Sequence, residues 1–350
     1  SNTEKQKRRP SLAGGGYIVK YDFTFIDLFA GIGGIRIPFE ELGGRCVFSS
    51  EIDKYCQMMY HANFGEKPAG DICKIKNDQI PDHDILLAGF PCQAFSIIGK
   101  MQGFADTRGT LFFEIERILQ SKRPKAFLLE NVRQLKTHDK GRTLKIILDV
   151  LRNKLGYKVY YDILNALDFG LPQKRERIII VGFKDHNIEF EMPKKGDGPK
   201  ITLSDILEKD DEVDKKYWAS DDIIARRMQK VKGKDIPKPS IWHENKSGNI
   251  GVHEYSCALR AGASYNYLLV NGVRRLTPRE MLRLQGFPED FKIVVSDQQI
   301  RKQTGNSVAI PVIRAVAKEM LRAMYNPAEK KKRPVNQQEK HEQLVLELTF

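Results

Sequence analysis

The chain has 350 residues, of which 41% are hydrophobic, and its formal net charge at pH 7 is +13. No apolar run approaches the roughly 20 residues that a membrane-spanning helix needs, and no signal-peptide pattern opens the chain, so we expect no membrane association. Five scattered cysteines without a CxxC pair argue against a disulfide framework and a zinc site, and they favour a reducing, cytoplasmic compartment.

Both ends of the chain are polar and charged. Residues 1–20 carry five basic residues and one acidic residue, which predicts a flexible basic N-terminal segment. Residues 328–350 carry five basic and four acidic residues and are predicted to form a charged mobile tail. Without these ends a net charge of +8 remains, so the basic excess of the body favours a polyanionic partner.

Six short runs rich in Val, Ile, Leu and Phe predict buried β-strands. They are residues 23–29, 45–50, 84–89, 125–130, 158–165 and 177–183. Amphipathic stretches predict helices at 109–124, at 141–156 and near 308–325. This alternation predicts the α/β class, with a doubly wound, mostly parallel sheet covered by helices.

The pattern changes near residue 187, where the chain becomes more polar and its periodicity weakens. We therefore predict a large domain built from residues 21–186 plus 300–327. A smaller domain with a hinge is predicted at residues 187–299.

Glycines and acids at predicted strand ends indicate a nucleoside cofactor. The first strand runs into a Gly-rich turn at 27–34, which allows a ligand to approach the backbone. Glu51 ends the second strand, where an acid can hold ribose hydroxyls. Asp71 follows a further predicted strand that ends at Gly70, where its carboxylate could accept from an adenine amine. The alternative is that Glu51 and Asp71 are helix N-caps.

Cys92 is the candidate nucleophile because it follows a strand end in Gly-Phe-Pro-Cys-Gln. Glu130, at the next strand end, is a candidate carboxylate for proton sharing. Arg175 and Arg177 alternate as the chain enters the strand at 177, so we expect them on one face. A solvated strand edge is the alternative for these arginines.

The assembled motifs resemble those of the bacterial cytosine-5 DNA methyltransferase family, in particular its HhaI and HpaII type of restriction–modification enzymes. The resemblance covers about residues 22–186 and 272–326. The motifs, in the order of the family, are DLFAGIGG (27–34), GFPCQAFS (89–96), RGTLFF (108–113), ENV (130–132), QKRERI (173–178), RRLTPRE (274–280) and QTGNSVAIPV (303–312).

The resemblance implies a Rossmann-like methyltransferase fold with a target-recognition domain, and a reaction on a cytosine flipped out of duplex DNA. Cys92 would add to carbon 6, Glu130 would hold N3 and the exocyclic amine, and Arg177 would contact O2. Arg175 would support the site and the phosphate. The implied cofactor is S-adenosyl-L-methionine, with S-adenosyl-L-homocysteine as product.

The resemblance also implies the residues that bind cofactor and DNA. The cofactor residues are Phe29, Ile32, Gly34, Glu51, Ile52, Asp71, Ile72, Pro91, Leu111, Asn306 and Val308. The expected DNA-binding residues are Gln93, Ser96, Lys100, Arg108, Asn249 and Arg260. No metal is expected. The sequence departs from the family at Ile52, where some relatives have tryptophan, at Ile98 in the expected lid, and at Ala258, where relatives often have threonine.

The implied partner is double-stranded DNA, with a restriction endonuclease acting on the same sequence without a stable complex. The protein is expected to be a monomer associated with the bacterial nucleoid. Three other functions are compatible with parts of the pattern: an RNA cytosine-5 methyltransferase, a DNA-binding regulator without activity, and a nicotinamide-dependent dehydrogenase. The recognition segment disfavours the RNA methyltransferase, and the intact candidate residues disfavour the inactive regulator. The Pro-Cys and GNSV motifs disfavour the dehydrogenase, because it would leave them unexplained.

Overall fold

The computed structural model describes residues 20–91 and 111–326. Its strands are β1 (Phe23–Leu28), β2 (Gly44–Ser50), β3 (Ile85–Gly89), β4 (Ala126–Val132), β5 (Lys158–Asn165), β6 (Gln173–Lys174), β7 (Glu176–Phe183), β8 (Ile241–Glu244), β9 (Ile250–His253), β10 (Ser256–Cys257) and β11 (Leu268–Val270). Its α-helices are α1 (Arg36–Glu41), α2 (Lys54–Phe64), α3 (Leu111–Lys122), α4 (Arg142–Asp149), α5 (Leu203–Ile206), α6 (Asp221–Lys230), α7 (Pro278–Gln285), α8 (Asp297–Asn306) and α9 (Ile310–Tyr325).

The main sheet has the strand order β2-β1-β3-β4-β7-β5. The pairs β1–β2, β1–β3 and β3–β4 are parallel, whereas β7 runs antiparallel to both β4 and β5. The six strands predicted from apolar runs are all present and agree with the observed bounds within two residues. The predicted α/β class with a mostly parallel sheet is confirmed.

The predicted strand ending at Gly70 is wrong. Across residues 65–72 of the described chain, the ladder is limited to one bridge between Ser50 and Ala69. Pro68 has no N–H to donate to a ladder. The chain then enters a 3₁₀ turn at Ile72–Lys74, so the pairing cannot extend.

Side chains on successive strand positions point to opposite faces of the sheet, which produces two apolar layers. Phe25 and Leu128 pack on one face with α1 and α9, whose contribution includes Met320. Ile26 and Phe127 pack on the other face with side chains of α3 and α4. Helices therefore cover both faces, which is the reason that the strands read as continuous apolar runs.

A third apolar cluster joins the C-terminal part of the chain to the first helices. It combines side chains of β8, β11, α7 and α8 with Ile32, Ile37 and Met59. This cluster contains residues from both predicted domains, so it does not mark a boundary between them. The domain limits stay a prediction. Among the described residues, no helix is long and apolar enough to cross a bilayer.

Candidate active site at the carboxyl edge of the sheet

The Gly-rich turn after β1 lies tightly against the segment that follows α8. Phe29 and Gly31 have φ angles of 53° and 54°, so the chain turns sharply where β1 ends. A Cβ on Gly34 would stand 2.8 Å from Ser307 Oγ and 3.0 Å from Val308 Cγ2. The absence of a side chain at Gly34 therefore permits the two predicted cofactor segments to touch.

Glu51 binds the turn instead of capping a helix. One carboxylate oxygen accepts from the Gly31 N–H at 2.7 Å and the other from the Asp53 N–H at 2.8 Å. The N-cap of α2 is Asp53, which accepts from the N–H groups of Tyr55 and Cys56, so the N-cap alternative is wrong for Glu51. Burial raises the pKa of Glu51, although the hydrogen bonds from Asp53 and Gly31 oppose this shift.

Asp71 is an N-cap, as the alternative interpretation proposed. Its carboxylate accepts from the Cys73 N–H at 3.0 Å and begins the turn at Ile72–Lys74. The Glu51 N–H donates to the Ala69 carbonyl at 2.8 Å, which holds this segment beside the end of β2. A capping carboxylate still has lone pairs for a ligand, so capping does not test the predicted adenine contact.

The other predicted cofactor residues differ in exposure. Ile52 is 72% exposed, although it is a large apolar residue. Pro91 and Asn306 are also exposed, whereas Phe29 and Leu111 are partly buried. Ile32, Ile72 and Val308 are buried. Ile52, the residue after Glu51, therefore offers an exposed apolar side chain that a planar ligand could cover.

The ends of β3 and β4 lie side by side, with Gly89 paired to Glu130. The buried Asn131 side chain donates to the Phe90 carbonyl at 2.9 Å, and this fixes the chain two residues before Cys92. Asn131 is part of the ENV motif, but the motif alone does not predict this contact. The predicted residues Cys92, Gln93, Ser96, Ile98, Lys100 and Arg108 lie outside the described residues.

Glu130 is buried and paired with Arg177. The Arg177 Nε lies 3.0 Å from Glu130 Oε1. Burial raises the pKa of Glu130, while the charges of Arg177 and Arg175 oppose the shift. A carboxyl in this state can accept hydrogen bonds when ionised and donate one when protonated.

Arg175 is 2% exposed, and its guanidinium donates to the protein's own backbone. It donates to the carbonyls of Leu259 at 2.9 Å and Gly305 at 3.0 Å, and also to that of Ser307. Burial, together with the charge of Arg177, lowers the pKa of Arg175 to about 9. A guanidinium buried in this way is not open to a DNA phosphate, so we treat Arg175 as a positioning residue.

Gln173 extends the same network, and sequence reasoning missed its role. Its amide nitrogen donates to the Leu284 carbonyl at 2.8 Å, and its amide oxygen accepts from the Leu259 N–H at 3.1 Å. The spacing of Gln173, Arg175 and Arg177 at every second residue was the available signal, because such residues share one side of an extended chain.

The two described DNA-binding candidates lie in the C-terminal half of the chain. Asn249 belongs to the hairpin turn between β8 and β9, where its N–H donates to Asn245 Oδ1 at 3.0 Å. Arg260 is exposed, and its guanidinium lies 5.0 Å from the centre of the Tyr267 ring. Its own N–H donates to the Tyr267 hydroxyl at 3.0 Å. Both residues are available to a ligand, and neither contact tests base recognition.

Comparisons with known proteins identify the family. The model of the family described as C-5 cytosine-specific DNA methylase matches residues 23–322. The chain is 62% identical over 303 residues to the type II methyltransferase M.HaeII of Haemophilus aegyptius, covering 87% of this chain and 94% of that protein. It is 46% identical over 329 residues to M.HpaII of Haemophilus parainfluenzae, covering 87% and 90%.

A solved structure agrees with the fold. The Entamoeba histolytica methyltransferase EhMeth superposes with a TM-score of 0.68 at 19% identity, covering 89% of this chain and all of that one. This likeness concerns the fold alone, while the family match and the sequence relatives concern the activity. The chain belongs to the C-5 cytosine-specific DNA methylase family and is a DNA (cytosine-5-)-methyltransferase.

Proposed function

We propose that the enzyme transfers the methyl group of S-adenosyl-L-methionine to carbon 5 of a flipped-out cytosine within a short specific duplex sequence, through a covalent bond between Cys92 and carbon 6. The observation that carries the proposal is the buried pair of Glu130 and Arg177, at the strand edge beside the segment that leads to Cys92. This pair offers a carboxyl and a guanidinium to one edge of a pyrimidine ring.

The residues at this edge fit the cofactor. Each oxygen of the Glu51 carboxylate accepts one backbone N–H and keeps lone pairs for ribose hydroxyls. The exposed Ile52 side chain offers an apolar face to adenine, and Gly34 lets Ser307 and Val308 pack against the turn where we propose that the methionine part binds. When bound, S-adenosylmethionine supplies a methyl group activated by a sulfonium. The remaining proposed contacts are Phe29, Ile32, Asp71, Ile72, Pro91, Leu111, Asn306 and Val308.

The proposed chemistry begins with addition of the Cys92 thiolate to carbon 6, which places negative charge on the ring. Glu130 shares a proton with N3 and accepts from the exocyclic amine, while Arg177 donates to O2, and both contacts stabilise that charge. Carbon 5, now nucleophilic, would take the methyl group as the methyl–sulfur bond breaks, and S-adenosyl-L-homocysteine would leave with the electron pair of that bond. Loss of the carbon 5 proton to a base and cleavage of the Cys92–carbon 6 bond restore the double bond and the thiolate.

DNA is the substrate of this family. We propose that Gln93, Ser96, Lys100 and Arg108 contact it near the flipped base, and that Asn249 and Arg260 contact it from the smaller domain. We further propose that the enzyme acts as a monomer at the nucleoid in the bacterial cytoplasm. It would protect the site of a restriction endonuclease without a stable complex, or act without such a partner.

Bisulfite sequencing of a plasmid incubated with the protein and S-adenosylmethionine tests the proposal. We expect one cytosine to resist conversion at every copy of one short sequence. A parallel incubation of labelled cofactor with tRNA provides the contrast. Label in tRNA together with full conversion of the plasmid would show that the substrate is RNA and overturn the proposal.

A further inference from the structure

The segment that follows β4 carries much of the positive charge of the enzyme. Residues 133–154 contain seven basic and two acidic side chains, a net charge of +5. We call residues 133–152 of this segment the basic flank; Lys154, which follows it, is paired with Glu116. Its exposed basic side chains are Arg133, Lys136, Lys140, Arg142, Lys145 and Arg152.

The basic flank begins at the edge of the candidate active site. Val132, the last residue of β4, pairs with Arg177 in the sheet, and Arg177 contacts Glu130. The next residue, Arg133, places its Nη1 2.5 Å from Glu176 Oε2. A duplex whose cytosine reaches Glu130 therefore passes close to this segment.

The backbone of the basic flank is held in an unusual conformation. Asp139 and Lys140 have φ angles of 50° and 55°, and Gly141 follows at 85°. A non-glycine residue in this region costs about 1 kcal/mol or more, so neighbouring contacts must maintain it. His138 Nδ1 lies 2.7 Å from Thr143 Oγ1, and Arg142 Nε donates to Asp139 at 2.9 Å. Such conformations concentrate at functional sites.

An open groove of about 410 Å³ runs along the basic flank, between α4 and the edge strand β5. Lys136, Lys145 and Arg152 line it together with Tyr161, which is 39% exposed. In the described chain, neither Lys136 nor Lys145 has an acidic partner within ion-pair distance. Among the neighbouring acids, Glu176 is paired with Arg133, Asp139 with Arg142 and Asp162 with Lys194. Asp149 also lines the groove, where it accepts from the Asn153 amide at 2.6 Å.

We propose that the basic flank binds the phosphate backbone of duplex DNA outside the recognised sequence. The proposal rests on the proposed function, because it places the duplex at Glu130. Unpaired lysines attract phosphates as point charges and read no bases. Helix α4 and the π-helical turn that follows it, Val150–Lys154, together span about 20 Å, which matches roughly six base pairs at 3.4 Å each. The flank thus lengthens the DNA footprint without adding sequence specificity.

The test compares two double variants. Lys136→Gln/Lys145→Gln removes two charges of the flank. Lys20→Gln/Lys184→Gln removes two exposed charges at the other end of the strands, away from the candidate active site. Lys20 precedes the parallel strand β1, and Lys184 follows the antiparallel strand β7. The dissociation constant is measured against salt concentration for a duplex that extends several helical turns beyond the target, and again for a duplex without the target.

We expect the flank variant to reduce the slope of log K against log salt by about 1 per lysine, equally for both duplexes, while the control keeps the wild-type slope. Equal slopes for the two variants would overturn the proposal. A loss restricted to the target duplex would also overturn it, because phosphate contacts carry no sequence information.

Two further measurements separate this proposal from the proposed function. Thermal unfolding of both variants should match the wild type, since the substituted side chains are exposed. At saturating concentration of a short duplex that covers little more than the target, the flank variant should methylate at the wild-type rate. Failure of the wild-type protein to methylate any duplex would refute the proposed function, whereas a changed salt slope with normal methylation supports the flank.

Discussion

Glu130 and Arg177 illustrate how burial sets the chemistry of a side chain. The carboxyl lies at the end of β4 with little access to water, and burial raises its pKa against the opposing charges of Arg177 and Arg175. A raised pKa makes the protonated form more available near neutral pH. That form is the one that can donate to a ring nitrogen, so burial at this position suits the proposed contact with N3 of cytosine.

The role of Cys92 is tested by substitution with serine. We expect Cys92→Ser to lower methylation by several orders of magnitude, because a hydroxyl is a far weaker nucleophile than a thiolate. Cofactor and DNA binding should remain within about three-fold, since the side chains are nearly equal in size. Initial rates with labelled cofactor measure the change, and retained turnover would refute the assignment. Duplex containing 5-fluorocytosine should trap the wild-type protein covalently but not the variant.

Asp27 provides a prediction about pH and stability. It is buried below the Gly-rich turn, where Tyr60 donates to its carboxylate at 3.0 Å. Burial raises its pKa from 3.8 to about 7, against the opposing charge of Arg36. The folded state therefore keeps a proton that the unfolded chain releases near pH 4, so the stability that Asp27 contributes is full below about pH 4 and is lost as the pH rises to about 7.

Asp27→Asn removes this titration and keeps an acceptor for Tyr60. The free energy of unfolding of the variant relative to the wild type should rise between pH 5 and 7, by at most about 1.4 kcal/mol per pH unit. Urea denaturation at several pH values measures it. Asp84→Asn is the control: burial alone would raise the pKa of Asp84, but Thr24 and Lys125 hold it below the usual value. Its relative stability should stay flat over this range, and a flat line for Asp27→Asn would contradict the prediction.

Helix α8 contacts the backbone of a neighbouring segment at Gly305. Gly305, in α8, lies against the backbone of residues 260 and 261, and a Cβ there would stand 2.2 Å from the Ala261 nitrogen. The same stretch of chain continues to Ser307 and Val308, which pack on Gly34. The position of α8 therefore depends on two glycines that permit backbone contact.

Gly305→Ala should destabilise the protein by about 1–3 kcal/mol, because the new methyl group meets backbone that cannot rotate away. Gly198→Ala is the matched control, since a Cβ at Gly198 would meet no atom within 4 Å. Chemical denaturation of both variants measures the effect. Equal stability of the two variants would show that α8 shifts without cost.

Across the whole molecule, Arg175 connects the segment that carries Arg260 to the segment that carries Asn306. Its guanidinium donates to Leu259 on one side and to Gly305 and Ser307 on the other. These are the parts of the chain proposed to bind DNA and cofactor, respectively. If a ligand at one site shifts the Arg175 guanidinium, the carbonyls that it binds at the other site shift too. Binding of DNA would then change the affinity for cofactor, and the reverse.

We expect DNA to tighten cofactor binding in the wild type by a factor of about 5 or more, and Arg175→Lys to reduce that factor towards 1. Lysine keeps the charge but cannot span the same three carbonyls with a rigid guanidinium. Calorimetric titration of cofactor with and without duplex measures the factor. An unchanged factor in a folded variant would show that Arg175 has a structural role without coupling.

The main strands and the order of the motifs could be predicted from the sequence. Strands buried on both faces are continuous apolar runs, so their bounds agree with the prediction within two residues. The predicted strand ending at Gly70 was wrong because the sequence before Gly70 has no apolar run. The segment forms a single bridge to the end of β2, between Ala69 and Ser50. Glycines and acids at strand ends also pointed to one edge of the sheet, because carboxyl ends of parallel strands converge.

The partners of those residues depend on how distant parts of the chain pack together. The burial of Arg175 by Leu259, Gly305 and Ser307 joins positions that are far apart in the chain, and no local pattern reports such contacts. The binding of the Glu51 carboxylate to Gly31, with Asp53 as the cap, likewise depends on how the strands align. Strand formation follows from local hydrophobicity and backbone geometry, whereas the environment of a charged side chain depends on which distant groups exclude water from it.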